Sequence, residues 1–218
     1  MNNLTILGLT AGIGSLVFAG TASAGFSGLD IETVENGVAG YTTYQIHALV
    51  SGEVDAVYGN ADNTLSVSSD AGFWNGPGTG ASAMDNPEAF WGFYPSMEFD
   101  SQVTIGMASN MSAGTMYHIG IDFAAFNAGG NFSTNNGSWY STPDQPNVHA
   151  VGGRVLIMQL TVADDDHAYG VVNMQGKDHV DDGGDNWTAD GVEFDTAPAP
   201  GALALLGLAG LAARRRRK

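Results

Sequence analysis

Three times in this chain a glutamate is followed, one apolar residue later, by an aspartate: Glu53/Asp55, Glu98/Asp100 and Glu193/Asp195. Side chains alternate along an extended strand, so each pair would set two carboxyls on one face, about 7 Å apart along the backbone. Paired carboxyls are the equipment of glycoside hydrolysis, in which a retaining mechanism needs them roughly 5 to 5.5 Å apart with one still protonated. The recurrence of the pair, each time around an apolar residue, fits an acidic solvent-facing side better than an active site.

Glu98-Phe99-Asp100 opens the strand pattern with which jelly-roll β-glucan hydrolases cut their substrate, but Gln102 and Val103 stand where a second catalytic glutamate would fall. No catalytic residue is assigned, and the chain is expected not to be an enzyme. Oxygen-rich turns are better candidates for a metal. Asp178, Asp181, Asp182, Asp185 and Asp190 fall within 13 residues that also hold Asn186 and Gly183-Gly184. Hard oxygen ligands on a flexible loop suit calcium, although the spacing is not that of an EF-hand, and a solvated charged turn is the alternative. Calcium is the one cofactor entertained; none is required.

Other chemistry is excluded. The histidines, His47, His118, His149, His167 and His179, form no His-x-x-x-His pair, and the absence of cysteine removes thiol catalysis and thiolate zinc sites. There is no Gly-x-Ser-x-Gly elbow. The glycines at 76–80 have no lysine and no following helix, so they are no phosphate cradle. Aromatics offer a different function: Trp74, Phe90, Trp91 and Trp139 would form a platform for stacking on sugar rings, or else belong to the core.

These residues need elements to position them. Short apolar runs alternate with polar ones and are punctuated by Gly and Asn, which predicts an all-β body. Strands are expected at 41–50, 54–58, 65–69, 97–107, 116–123, around Trp139, and at 192–194. A central hairpin is expected from 154–162 and 169–175 across Asp164-Asp165-Asp166-His167. The aromatic stretch 73–95 is expected as a long loop, and no helix of ten or more residues is expected in the body. Some eight strands without an internal repeat predict an antiparallel β-sandwich of jelly-roll type.

Charge is distributed unevenly. All 23 acidic residues lie between Asp30 and Asp195, whereas five of the seven basic ones close the chain. Segment 25–197 has only Arg154 and Lys177 against those 23 acids, a net charge of −21. Such a surface repels nucleic acid and itself, and it favours salt or bound cations as screening.

The ends carry addresses. Residues 4–19 are apolar and precede Ala22-Ser23-Ala24, a small-residue cleavage site, so 1–24 is expected to be a signal peptide with a short apolar helix, although Met1-Asn2-Asn3 brings no basic side chain. At the other end Pro198-Ala199-Pro200 leads to a 12-residue apolar run, 202–213, and then to Arg214, Arg215, Arg216, Arg217 and Lys218. As a helix that run spans about 18 Å, short of a bilayer core of about 30 Å. It would be held only transiently, basic end at the cytoplasmic face.

Motif, short helix and basic end together resemble the PEP-CTERM sorting signal of exported bacterial proteins, with Ala199 in place of the usual glutamate. The resemblance covers 198–218. It implies handling by the export machinery and an exosortase, transient membrane contact, and delivery to the cell surface or extracellular matrix of a biofilm. The body is also similar to uncharacterised exported proteins of aquatic bacteria, through Val57-Tyr58-Gly59, Gly137-Ser138-Trp139 and 154–161; no activity follows from that. The expected function is a structural or adhesive role outside the cell. The alternatives are a carbohydrate-binding module, stabilised by calcium and contacting extracellular polysaccharide, and a secreted glycan hydrolase.

Overall fold

The computed structural model describes the backbone of residues 15–17 and, in full, residues 25–76, 83–178 and 184–197. They are mostly β. In chain order the strands are β1 (Ser15–Val17), β2 (Phe26–Val34), β3 (Tyr41–Val50), β4 (Ala56–Gly59), β5 (Leu65–Ser69), β6 (Gln102–Val103), β7 (Tyr117–Ile119), β8 (Phe132–Thr134), β9 (Gly137–Tyr140), β10 (Arg154–Ala163), β11 (Ala168–Lys177) and β12 (Asn186–Asp195). Helix among the described residues amounts to one turn, Ala124–Asn127, and the 3-10 segments Glu88–Phe90, Pro95–Phe99 and Pro146–Val148.

Two antiparallel sheets result. The first runs β1-β2-β3-β10-β6. The second is built on β11, which pairs β12 along one edge; along the other, β5 covers 168–171 and β4 covers 173–175. β4 and β5 are therefore two lengths of one strand direction, interrupted by the turn at 60–64. Outside them β9 and β8 repeat the arrangement, and β7 closes the edge beside β9. Leu29, Ile46, Met158 and Leu160 of the first sheet and Val57, Leu65, Val172, Met174 and Phe194 of the second belong to one buried cluster.

The interruption is held by one side chain. Asn173 lies where β11 shifts register against β12 between Val172 and Met174, and it is fully buried. Its Nδ2 donates to the carbonyls of Tyr58 and Asn63, both at 2.8 Å, and its Oδ1 accepts the Gly191 N–H at 2.7 Å. Three backbone groups that the ladder leaves over thus find a partner, as buried polar groups must.

The structure corrects several expectations. β10 and β11 do not form a hairpin: β10 pairs β3 and β6, β11 pairs β4, β5 and β12, and residues 164–167 carry the chain from one sheet to the other. The apolar run of β10 has this origin, because both its faces are covered. One faces the shared core. On the other, Gln159 and Thr161 donate to the Glu98, Asp100 and Phe99 carbonyls of the 3-10 segment lying across them. That segment also takes the first three residues of the strand expected at 97–107, of which only Gln102–Val103 is strand, since Pro95 starts a turn and the Asp100 carboxylate accepts the Gly76 N–H. β12 begins at Asn186, earlier than expected, because Trp187 and Ala189 already alternate inward. β2 was not expected at all. Within the expected signal helix, Ser15–Val17 is instead a strand paired with β2; the rest of 1–24 and all of 198–218 lie outside the described residues.

Candidate functional site

Alternation on β11 and β12 builds the principal surface feature. Across the ladder Tyr169 stands between Ser68 and Asp195, and Val171 between Ser66 and Glu193, so these side chains share the face turned from the core. With Asp70 and His167 all of these but Ser68 border an open groove of about 560 Å³. Its floor is Gly170. A Cβ there would fall 2.0 Å from the Ser66 carbonyl oxygen, so β5 reaches β11 only because the residue is glycine.

The Tyr169 hydroxyl donates to Asp70 at 3.0 Å, which with the negative charge beside it raises the phenol above its ordinary range. The His167 ring lies 5.3 Å from that of Tyr169, with Nε2 3.8 Å from Asp195 and Nδ1 3.8 Å from Asp166. Asp166 anchors the turn beneath. Burial alone would raise its carboxyl, but the Ser69 hydroxyl and the N–H groups of Ala71 and His167 donate to it and hold it below the ordinary carboxylate range. Glu193 makes no hydrogen bond or ion pair with the described residues, and Asp195 accepts only the Ala197 N–H besides its approach to His167. Both body cations lie outside the groove lining; Arg154 is engaged by Asp30 and Glu32 on the first sheet.

A second acidic group lies at the far end of β11. The chain crossing from β3 to β4 is laced in place by Glu53 N–H to the Lys177 carbonyl (2.9 Å), Val54 N–H to Val148 (3.0 Å) and Asp55 N–H to Gln175 (2.8 Å). Val54 enters the core, so Glu53 and Asp55 share the opposite side. The Glu53 side chain is 0% exposed. As bare carboxylates neither Glu53 oxygen nor Asp55 Oδ1 has a donor among the described residues, so the hydrogen bond open to them is the one between the two carboxyls when one holds a proton; His149 Nδ1 is 3.3 Å from Glu53 Oε2. Burial raises the Glu53 carboxyl, with Lys177 opposing. Burial and the neighbouring Glu53 push Asp55 up to about 6. Two carboxyls so placed share protons as a pair. Glu53 is sealed from solvent, whereas Asp55 is half-buried.

The expectation of three solvent-facing acid pairs is thus corrected for two of them. Glu193 and Asp195 are exposed, Glu53 is buried, and Asp100 is buried beside exposed Glu98, its carboxyl pushed up to about 6 by burial despite the Gly76 N–H.

The expected aromatic platform is dispersed. Trp139 is 0% exposed, its indole N–H donating to the Thr104 carbonyl and its ring meeting Phe132, so it is a core residue. Trp74 is half-buried against Tyr41. Phe90 and Trp91 share a 3-10 turn tied down by Trp91 Nε1 to Asn86, and the exposed rings there are Phe90, Phe93 and Tyr94. Of the expected metal ligands, Asp181 and Asp182 lie outside the described residues, as do Pro198, Ala199, Pro200 and Arg214, Arg215, Arg216 and Arg217 of the expected sorting signal. Asp178 donates its N–H to the Asp185 carbonyl, and Asp190 accepts from Tyr58 and Asn60. No three His, Asp or Glu side chains among the described residues are grouped to hold a metal, and no described helix is long and apolar enough to cross a membrane.

Sequence reasoning singled out Glu193 and Asp195 but missed Asp70, His167 and Tyr169 as their companions. The usable signal was alternation: Tyr169 and Val171 must face away from the core if Val172 and Met174 face it. Comparison of the chain with family models, with characterised proteins and with solved structures gives no match.

Proposed function

We propose that this is an exported protein of the cell surface or extracellular matrix, with an adhesive, non-catalytic role in which the groove on the second sheet contacts matrix glycan. The observation that carries the reading is an exposed tyrosine flanked across the β11–β12 ladder by carboxylates that have few or no partners among the described residues. An aromatic face takes the apolar side of a sugar ring, and free carboxylates accept its hydroxyls. The shared core and the repeated passage of the chain from one sheet to the other support a sandwich of the jelly-roll type. Glycan-array binding by the full chain tests the reading, with Tyr169→Ala expected to abolish the signal; silence of the wild type removes it.

Sorting through the tail at 198–218, by way of an exosortase and a transient membrane stage, belongs to the same proposal. A reporter bearing 197–218 behind a signal peptide should reach the surface and should fail to do so without the Arg214–Arg217 cluster. Calcium at 178–190 is its third part: millimolar calcium should raise Tm beyond sodium chloride of matched ionic strength, because a ligand stabilises through the native state it prefers. Equal rises mean screening alone.

A further inference from the structure

We propose that the outer edge of β2 is a strand-acceptor site, filled here by residues 15–17 and, once 1–24 is removed, by β7 of a second copy, so that copies join head to tail. This deepens the reading as a structural matrix protein and rests on loss of the expected signal peptide. An occupant is seen in place. Ser15–Val17 lies antiparallel on β2 in the register Ser15 to Ile31, Leu16 to Asp30 and Val17 to Leu29, and adding a strand to a sheet edge is a recurring mode of recognition. Cleavage after Ala24 takes away that strand but leaves the edge, since β2 keeps its ladder to β3 between Phe26 and Val34. The main-chain groups of 29–31 that face 15–17 then need new partners.

Charge decides which strand takes the place. Like charges directly opposite in a ladder repel. A second β2 laid antiparallel about Asp30 sets Asp30 on Asp30, and about Ile31 it sets Asp30 on Glu32. β12, which pairs β11 alone, carries Asp190, Glu193 and Asp195. β6 has its Val103 N–H on the Ala83 carbonyl, and Thr134 of β8 donates to the Gly120 carbonyl. β7 differs. It ends the second sheet, pairs β9 alone, and its main chain has no hydrogen bond outside that ladder among the described residues. Between Ser101 and Pro143, Asp122 is the one Asp, Glu, Lys or Arg, and Tyr117 and Ile119 stand 48% and 66% exposed. β7 is three residues long, as is the strand that it replaces. In the same register Tyr117 meets Ile31, Ile119 meets Leu29, and an imidazole, His118, meets Asp30. Donor and acceptor edges belong to different sheets, so the contact is heterologous, and its repetition gives a ring or an open filament of copies.

The test is sedimentation velocity of the full chain carrying a specific protease site at 22–24, before and after the cut, across the micromolar range in salt that screens the charge of the body. The intact chain is expected to keep one size at every concentration, and the cut chain to grow with concentration. Ile119→Asp and His118→Asp, each with unchanged Tm, should weaken that association at least about tenfold in apparent Kd; a variant whose Tm falls is replaced by Tyr117→Asp. A cut chain that stays monomeric overturns the inference, as does an intact chain that associates as strongly as the cut one. Growth that the β7 variants leave unchanged overturns the choice of β7. The cut is made in vitro, so these results stand apart from the reading of export, which fails separately if cells keep 1–24 on the chain and hold it inside.

Discussion

Strand β11 is flanked at its two ends by the same three-residue pattern, with opposite outcomes. Glu193-Phe194-Asp195 lies beside Tyr169 and Val171 and turns both carboxyls to water; Glu53-Val54-Asp55 lies beside Gln175 and Lys177 and buries Glu53 completely. In each the central apolar residue enters the core and the acids share the other face. The difference is what covers that face. Nothing in the described chain lies over the groove end, whereas the 146–150 segment, through Val148 and His149, closes on the crossover. The same three-residue pattern thus gives a solvent-facing pair at one end and a proton-sharing pair at the other.

The largest expected effect breaks the equation of buried acid with strain. Asp166 is also buried, yet its oxygens accept three described donors. Asp166→Ala should destabilise by about 3 kcal/mol, because it strands those donors; urea unfolding measures it, and a loss under about 1 kcal/mol would mean that water replaces them. Next comes Glu53→Gln, which removes a buried carboxyl that has only the Asp55 carboxyl and the His149 ring close to its oxygens. It should raise stability by about 1 kcal/mol at alkaline pH. A fall instead would show that the Glu53 charge is satisfied and that the two ends are alike.

Asp55→Asn sharpens the comparison through pH. The native Asp55 keeps its proton up to about 6, the unfolded one only to about 3.9. Between those values the native state binds more protons, so stability falls as pH rises through the window. Asn at this position should remove the Asp55 part of that slope from thermal melts and leave the part of the same sign that Asp100, also pushed up to about 6, contributes. His47, buried and held at about 4 by burial and by Arg154, acts oppositely, because its unfolded form takes up a proton below about 6.5. Acidification from there to about 4 costs stability at His47, so the Asp55 contribution is read from the difference between wild type and variant. The smallest effect is Glu193→Gln, expected to shift stability by no more than about 0.5 kcal/mol. A larger change would mean that the groove end is structural.

Much of the β architecture was legible because alternation is local: Tyr41–Val50 and Leu65–Ser69 are the strands that their sequences describe. Partnership was not. The near-continuous apolar run from Val155 to Val162 says that both faces of β10 are covered but not by what, and adjacency in sequence suggested β11 where the partners are β3 and β6. The site was legible only in fragments. Nothing local distinguishes Glu53 from Glu193, since the covering segment at 146–150 is nearly 100 residues away in sequence from the first, and the sequence leaves Trp139 open between ligand platform and core because burial of an indole depends on the neighbours that surround it.

Asn173 also fixes when the second sheet can form. The groups it joins lie 110 and 115 residues earlier, at Asn63 and Tyr58, and 18 residues later, at Gly191. Until β11 is available, β4 and β5, with β9 and β8 beside them, lack the strand that joins them, and their exposed edges must wait. Topologies with such distant pairings fold slowly, in milliseconds to seconds, because loop closure precedes the contacts that reward it. A chain appearing N-terminus first therefore completes this sheet only after almost all of the body has emerged, and a truncation ahead of Asn173 should leave β4 without its pairing to 173–175 and β5 with 168–171 alone.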